Sequence, residues 1–91
     1  MSKEKVLMLM VKKEWFELIK SGEKTIDYRD PTDFWIKRLV FDVEEPGTEK
    51  EKIIFTEFDK VVFLCGKITL EKKFVKTVLN EEDGCFEIYF I

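Results

Sequence analysis

The chain has 91 residues and a mass of 10.9 kDa, which is too short for two hydrophobic cores, so we expect one domain over residues 1–91 and exclude a multidomain enzyme. Hydrophobic residues make up 45% of the chain and charged residues 38%. This is enough apolar surface for a packed core, so we do not expect intrinsic disorder. The net charge of −3 excludes nucleic-acid binding through a general basic field, so such binding requires a local cleft.

The sequence also limits location and chemistry. No apolar run approaches the roughly 18 residues of a membrane span, and residues 1–13 lack the order of a signal peptide. We therefore expect a soluble, cytoplasmic monomer with no membrane partner. The chain has no histidine, which excludes catalytic triads, Cys-His pairs and imidazole zinc sites. Cys65 and Cys85 lack metal-ligand spacing and predict reduced, buried thiols, and we expect no metal site and no cofactor.

The first elements are predicted by a change of hydrophobic period. Val6–Met10 is a continuous apolar run, typical of a strand buried on both faces or central in a small barrel. An amphipathic helix follows and ends at Gly22, which is a common residue just past a helix C-terminus. Its apolar face is predicted from helical spacing to comprise Val11, Trp15, Leu18 and Ile19.

The next segment, Thr25–Arg29, alternates as a half-buried strand does. Ile26 and Tyr28 fall on its apolar face, so Asp27 and Arg29 point the same way on the other. A second helix is predicted directly afterwards, with Asp30 as N-cap, Pro31 in the first turn and Asp33 three residues after the cap. Its apolar side is predicted to comprise Phe34, Trp35, Ile36 and Leu39.

The second half of the chain is predicted to consist mainly of strands. Val40–Val43 predicts a short strand, Glu44–Lys52 an exposed turn or loop, and Asp83-Gly84 a hairpin. Four further segments are rich in β-branched and aromatic residues, namely Ile53–Phe58, Val61–Leu70, Phe74–Leu79 and Cys85–Ile91. The sequence therefore predicts an α+β domain: a small β-barrel of five or six mostly antiparallel strands, with two short helices near the N-terminus.

The positive charge is concentrated in the first half. Residues 1–40 hold nine Lys or Arg against seven Asp or Glu, and residues 41–91 hold seven against twelve. Fourteen of the sixteen basic residues are Lys, and both arginines, Arg29 and Arg38, follow Lys24 closely. Arginine grips a carboxylate or phosphate through two parallel hydrogen bonds, so this half is the better candidate for an anion site.

The run Gly-Glu-Lys-Thr-Ile-Asp-Tyr-Arg over residues 22–29, followed by Trp35 and Arg38-Leu39, resembles the ASCH domain family of PUA-like β-barrels. Lys12–Phe16 and Val61–Phe63 leading to Gly66 are similar to the same family. The resemblance covers residues 5–39, residues 59–70 and the last strand, about two-thirds of the chain. It implies a PUA-like fold and an RNA, nucleoside or nucleotide ligand.

The chain departs from the family pattern at two places. Asp27 stands where the family has Glu, which keeps the charge but shortens the reach. Cys65-Gly66-Lys67 stands where Asn-Gly-Tyr is common, so an amide and an aromatic ring that could contact a base are missing. A ligand site formed only by residues of the first half of the chain is less affected by these departures.

The residues themselves indicate a charged cluster at the mouth of the barrel. Lys24 in the turn, and Asp27 and Arg29 on one strand face, can together bind a phosphate or a polar heterocycle. Tyr28 or Trp35 could stack a base. The alternative is a lateral Asp27–Arg29 ion pair on an exposed strand, with both aromatics in the core. The predicted ligand-binding set is Lys12, Lys24, Asp27, Arg29, Trp35 and Arg38.

Three functions follow from the resemblance. The first is a binding module for RNA or a nucleotide. The second is an amidohydrolase that deacetylates a modified cytidine of the N4-acetylcytidine type, in which Lys24 and Asp27 would be catalytic. Those enzymes use Thr at the position of Asp27 together with a distant Glu, and Asp27 is a poor substitute for a hydroxyl nucleophile. The third is a metal-dependent ribonuclease, but the nearby Asp30 and Asp33 are better explained as helix-capping groups.

Overall fold

The computed structural model describes residues 3–91. Within them the chain forms two helices and seven strands: β1 (Val6–Met10), α1 (Lys13–Ser21), β2 (Ile26–Arg29), α2 (Asp33–Leu39), β3 (Val40–Glu44), β4 (Lys52–Phe55), β5 (Lys60–Cys65), β6 (Ile68–Asn80) and β7 (Cys85–Phe90). The α+β class and the two early helices are confirmed, with more strands than predicted. Neither helix in this described part is long and apolar enough to cross a membrane.

The strands form one mixed sheet of five and one sheet of two. The larger sheet has the order β1-β5-β6-β7-β2, and β3 pairs with β4. Only β1 and β5 run parallel, so the mostly antiparallel prediction is confirmed. The described strand pairing leaves β1 and β2 as the two edges of an open sheet. The closed barrel expected from the sequence is therefore not confirmed.

A single hydrophobic core lies against one face of the larger sheet. It receives side chains from α1, from the end of α2 and from β1, β5 and β7. The rings of Phe63 and Phe90 meet edge to face at its centre, 4.7 Å apart. The buried apolar residues are Leu7, Leu9, Phe16, Ile19, Leu39, Val61, Phe63, Phe86, Ile88 and Phe90.

Of the two interpretations of the Val6–Met10 run, a strand buried on both faces is wrong, and a place in the centre of a barrel is not confirmed. Leu7 and Leu9 are buried, whereas Met8 and Met10 are 56% and 75% exposed. Because side chains alternate along a strand, a strand with the core on one side only buries every second residue. The continuous apolar run Val6–Met10 thus leaves two methionines on the surface at a sheet edge.

Helix α1 begins at Lys13, later than predicted, because the Val11 N–H still donates to the Leu64 carbonyl as part of the β1–β5 ladder. Its buried residues are Phe16 and Ile19, so the buried face is rotated relative to the prediction. Trp15, predicted on the apolar face, is 45% exposed.

The end of α1 is as the sequence predicts. Gly22 is the C-cap residue with φ of 88°, and its N–H donates to the Ile19 carbonyl. A residue with a β-carbon is disfavoured in that left-handed conformation, so glycine allows the chain to turn directly into the Lys24 segment.

Helix α2 does not begin with Asp30 as N-cap. It starts at Asp33, and the N-cap residue is Thr32, whose side chain makes no capping hydrogen bond. The backbone carbonyl of Asp30 instead accepts from the Thr32 N–H at 2.8 Å, which makes Asp30 part of a turn. Of the predicted apolar side only Leu39 is buried, and Trp35 is partly buried against the core.

The strands of the second half are divided differently from the prediction. The segment Val61–Leu70 is interrupted at Gly66, whose φ of 60° allows the β5–β6 turn. Strand β6 then continues through the charged Glu71–Lys73, because Lys73 exchanges two backbone hydrogen bonds with Ile91, both 2.9 Å. The hairpin at Asp83-Gly84 is confirmed, and the exposed loop is shorter than predicted, because Glu44 ends β3 and Lys52 begins β4.

The one-sided burial of β1 gives a stability prediction. Leu9→Ala should lower the free energy of unfolding by about 2–5 kcal/mol, since it opens a cavity in the core. Met8→Ala, a matched truncation on the exposed face of the same strand, should change it by about 0.5 kcal/mol or less. Urea unfolding at pH 7 measures both. Equal destabilisation by the two variants would contradict this arrangement.

Candidate functional site

Strand β2 presents its polar face to the interior. Asp27 is only 5% exposed and Arg29 is partly buried, whereas Tyr28 is 53% exposed. Asp27 and Arg29 do share a face, as predicted, but the assignment of Tyr28 to the core face is wrong. The reversal is possible because the two buried charges neutralise each other at short range.

Arg29 connects the two edges of the larger sheet. Its Nε donates to Asp27 Oδ2 at 2.6 Å, and its Nη2 donates to the Met10 backbone carbonyl at 2.8 Å. Met10 ends β1 and Arg29 ends β2. A side chain therefore makes the link between these strands that backbone hydrogen bonds would make in a closed barrel.

The pair matches the alternative that the sequence left open, in a more buried form. The ion pair is lateral, from residues two apart on one strand, but the side chains of Arg29 and Asp27 are only 19% and 7% exposed. A buried carboxylate is costly unless a partner compensates it. Two donor groups of the guanidinium are engaged by Asp27 and Met10, which leaves its Nη1 hydrogens for a ligand.

Lys24 lies between two aromatic rings. Its Nζ is 5.2 Å from the ring centre of Trp15 and 5.1 Å from that of Tyr28, within range of cation–π attraction. The Lys24 N–H donates to the Leu18 carbonyl, which holds the turn against α1. Within residues 3–91 no carboxylate lies within 4.0 Å of this ammonium group.

These side chains surround a cleft of about 430 Å³ between α1, the end of β1 and β2, within the roughly 300–1,000 Å³ typical of small-molecule sites. Its lining contains three basic residues and one acid. We call it the lysine cleft, lined by Met10, Val11, Lys12, Trp15, Lys24, Asp27, Tyr28 and Arg29. Four of the six predicted ligand-binding residues, Lys12, Lys24, Asp27 and Arg29, thus meet in one place.

The other two predicted residues, Trp35 and Arg38, lie in a neighbouring groove of about 520 Å³. Arg29 borders both recesses, and its guanidinium carbon is 5.0 Å from the Trp35 ring centre. Arg38 lies over the Phe34 ring at 3.5 Å. The predicted set of six is therefore divided between two recesses with Arg29 at the boundary.

Trp15 is the wall of the lysine cleft that the sequence analysis did not identify. Helical spacing places it on the apolar side of α1, whereas for Tyr28 the sequence leaves two roles open, stacking on a base or burial on the apolar face of β2. One signal could have revealed Tyr28: an acid and a base two residues apart on a strand can be buried as a pair, which turns the residue between them outward. No comparable signal in the sequence marks Trp15.

Cys85 borders a further recess beside Arg29 and Trp35. Both cysteines are free and partly buried. Burial raises the pKa of the Cys85 thiol, and the charges of Asp83 and Glu87 raise it further. Cys85 is thus held as a thiol at neutral pH, which does not suit a nucleophile.

No family model, curated protein or solved structure matches this chain. The resemblance to the ASCH family stays a prediction.

The Asp27–Arg29 pair gives a second stability prediction. Arg29→Met should lower the free energy of unfolding by about 1–3 kcal/mol, because it leaves a mostly buried carboxylate without its partner. Asp27→Asn should also be destabilising, and the double variant should lose less than the sum of the two. Urea unfolding of all four proteins measures the coupling.

Lys60 provides the control for this cycle. Its ion pairs with Glu4 and Glu71 lie at the surface, so Lys60→Met should cost less than Arg29→Met. Additive effects at Asp27 and Arg29, no larger than the effect at Lys60, would show that the pair does not stabilise the fold.

The raised pKa of Cys85 predicts slow alkylation. In the Cys65→Ser variant, iodoacetamide should label Cys85 more slowly in the folded protein than in urea at pH 8, because less thiolate is present. The rate in the folded protein should still rise at pH values where the rate in urea has levelled off. Mass spectrometry of labelled protein against time and pH measures both. Coincident pH profiles would contradict the shift.

Proposed function

We propose that the lysine cleft binds a nucleotide unit, either free or within single-stranded RNA. One observation carries the proposal: the Lys24 ammonium, which has no ion-pair partner among residues 3–91, lies between the rings of Trp15 and Tyr28, beside the Asp27–Arg29 pair. Positive charge and aromatic surface within one cleft are what a phosphate joined to a base requires.

The phosphate would be bound by the basic side chains. Lys24 has no carboxylate partner within the described residues, so it can approach a phosphate without first breaking an ion pair. Lys12 is exposed at the rim of the same cleft. Arg29 is fixed by Asp27 and Met10, so its remaining N–H groups are preorganised donors and little conformational entropy is lost on binding.

The base would be bound by the aromatic walls and by Asp27. Trp15 and Tyr28 are about half exposed, which leaves ring surface for stacking, worth about 1–3 kcal/mol per base. Asp27 uses Oδ2 for Arg29, so Oδ1 is the oxygen that can accept from the amino group of a base. Cytosine, adenine and guanine carry such a group and uracil does not.

We further propose that the domain is ASCH-like, with a PUA-like barrel that is left open at a seam between β1 and β2. The Arg29–Met10 hydrogen bond across the two edge strands supports this arrangement. The Gly-x-Lys-x-x-Asp-x-Arg run then provides the Gly22 cap, the Lys24 cation and the ion pair that bridges the seam.

Binding is better supported than catalysis. An amidohydrolase would need Asp27 to accept a proton, yet one oxygen of this carboxylate already faces the guanidinium of Arg29 at 2.6 Å. A two-metal ribonuclease needs carboxylates that face each other. Asp27 faces an arginine, and within residues 3–91 no group of three or more acidic or thiol side chains is placed to hold a metal ion.

Titration of the protein with a short single-stranded RNA, followed by tryptophan fluorescence, tests the proposal. Binding should quench Trp15, and Lys24→Met should weaken affinity at least tenfold, about 1.4 kcal/mol. The loss of one phosphate contact should also lower the salt slope of log K by about 0.7. Cytidine-rich RNA should bind more tightly than uridine-rich RNA if Asp27 accepts from the base.

Lys67→Met is the matched control, because Lys67 is an exposed lysine in the β5–β6 turn that does not line the cleft. It should bind as the unchanged protein does. Equal loss in both variants, or binding of neither RNA nor mononucleotides, would refute the site.

Mass analysis of the same mixtures, with N4-acetylcytidine and divalent metal added, separates binding from catalysis. We expect every substrate to remain intact. Deacetylation or cleavage that disappears in Lys24→Met would replace the binding proposal with an enzyme at the same cleft.

A further inference from the structure

The edge strand β1 has a row of unpaired backbone groups. Its only strand neighbour in the described chain is β5. The Val11 N–H donates to Leu64 and the Lys5 carbonyl accepts from Asp59, so the odd-numbered residues face β5. Because backbone groups alternate in direction along a strand, those of Val6, Met8 and Met10 face away from the sheet.

One of these outward groups has a partner within residues 3–91. The Met10 carbonyl accepts from Arg29 Nη2 at 2.8 Å. The N–H and C=O groups of Val6 and Met8, and the Met10 N–H, are left for another strand. An exposed edge of this kind is a template for strand addition.

The groove of about 520 Å³ runs beside this edge. Its walls include the exposed Met8 and Phe34 and the half-buried Leu64, so it can take apolar side chains. Both arginines of the chain, Arg29 and Arg38, line it, and no acidic residue of the described range 3–91 does. Although the whole chain has a net charge of −3, the apolar walls and the two arginines of this groove favour an occupant that is apolar and negatively charged.

Arg38 has guanidinium N–H groups that can still bind a carboxylate. Its Nη1 donates to the Phe34 carbonyl at 3.2 Å and its guanidinium lies over the Phe34 ring. Within the described residues no carboxylate lies within 4.0 Å of it. Arg29, by contrast, is already paired with Asp27.

We propose that an extended acidic peptide segment of another protein binds here by adding a strand to the free edge of β1. Its backbone pairs with Val6, Met8 and Met10, its apolar side chains enter the groove, and an Asp or Glu pairs with Arg38. The five residues of β1 rise about 3.3 Å each, so the paired segment is about five residues long. This inference does not rest on nucleotide binding at the lysine cleft, although the two recesses share Met10 and Arg29.

Other occupants fit less well. Single-stranded RNA has no row of amides at strand spacing, so it cannot pair with the free backbone groups of β1. The β1 segment of a second copy is itself basic, since residues 3–13 hold four lysines and one acid, Glu4. Like charges would then oppose such a dimer.

Selection from a phage-displayed library of random heptapeptides tests the proposal. Enriched peptides should carry apolar residues at alternate positions and at least one Asp or Glu. A fluorescein-labelled synthetic copy of the most enriched peptide then gives the dissociation constant by anisotropy. N-methylation of a peptide amide that faces β1 should weaken peptide binding at least tenfold. N-methylation of the next amide, which faces away from β1, should weaken binding less than threefold.

Arg38→Glu should weaken this peptide at least tenfold, whereas Lys37→Glu, the same charge change on the neighbouring residue of α2, should change binding less than threefold. Lys37 does not line the groove. Lys24→Met should leave peptide binding unchanged, which separates failure here from failure at the lysine cleft.

Three results would overturn the proposal. The first is that no peptide is enriched in the selection. The second is that the protein binds a single-stranded RNA instead of a peptide and that Arg38→Glu abolishes this binding. The third is that sedimentation shows a dimer that Arg38→Glu dissociates.

Discussion

The arrangement of this domain depends on one buried ion pair. Asp27 and Arg29 lie two residues apart on β2, and the same guanidinium reaches the Met10 carbonyl at the end of β1. A buried charge on either residue alone would be costly, so each makes the other's position possible. The outcome is an open sheet whose two edges are linked by a side chain, with polar groups in the seam.

That link also organises the surface around it. Arg29 separates the lysine cleft from the apolar groove and lines both. On one side its charge stands with Lys24 and two aromatic rings, and on the other with Arg38 and the unpaired edge of β1. A residue with a structural role therefore brings the same positive charge to two recesses that differ in lining, the one that we propose for a nucleotide and the one that we propose for a peptide.

The sequence predicted those features that depend on local patterns. The Gly22 stop, the β2 segment and the β6–β7 hairpin at Asp83-Gly84 follow from turn chemistry and periodicity over a few residues. The meeting of Lys24, Asp27 and Arg29 also followed, because a turn and one strand face bring them together. The errors lie where burial depends on distant partners: Met8 proved exposed and Trp15 faces the cleft rather than the core.

By itself, the sequence determined the α+β class, the two early helices and the cluster of basic residues in the first forty positions. Only the tertiary structure decided which face of each element is buried. Alternation states that Asp27 and Arg29 lie opposite Tyr28, but it cannot state which side meets the core. That choice depends on Arg29 reaching a carbonyl nineteen residues away, because this contact and the Asp27 pairing compensate the charge on the inward face. The same pairing with distant strands decided that β1 is an edge, which leaves its outward peptide groups, except the Met10 carbonyl, without partners in the described chain.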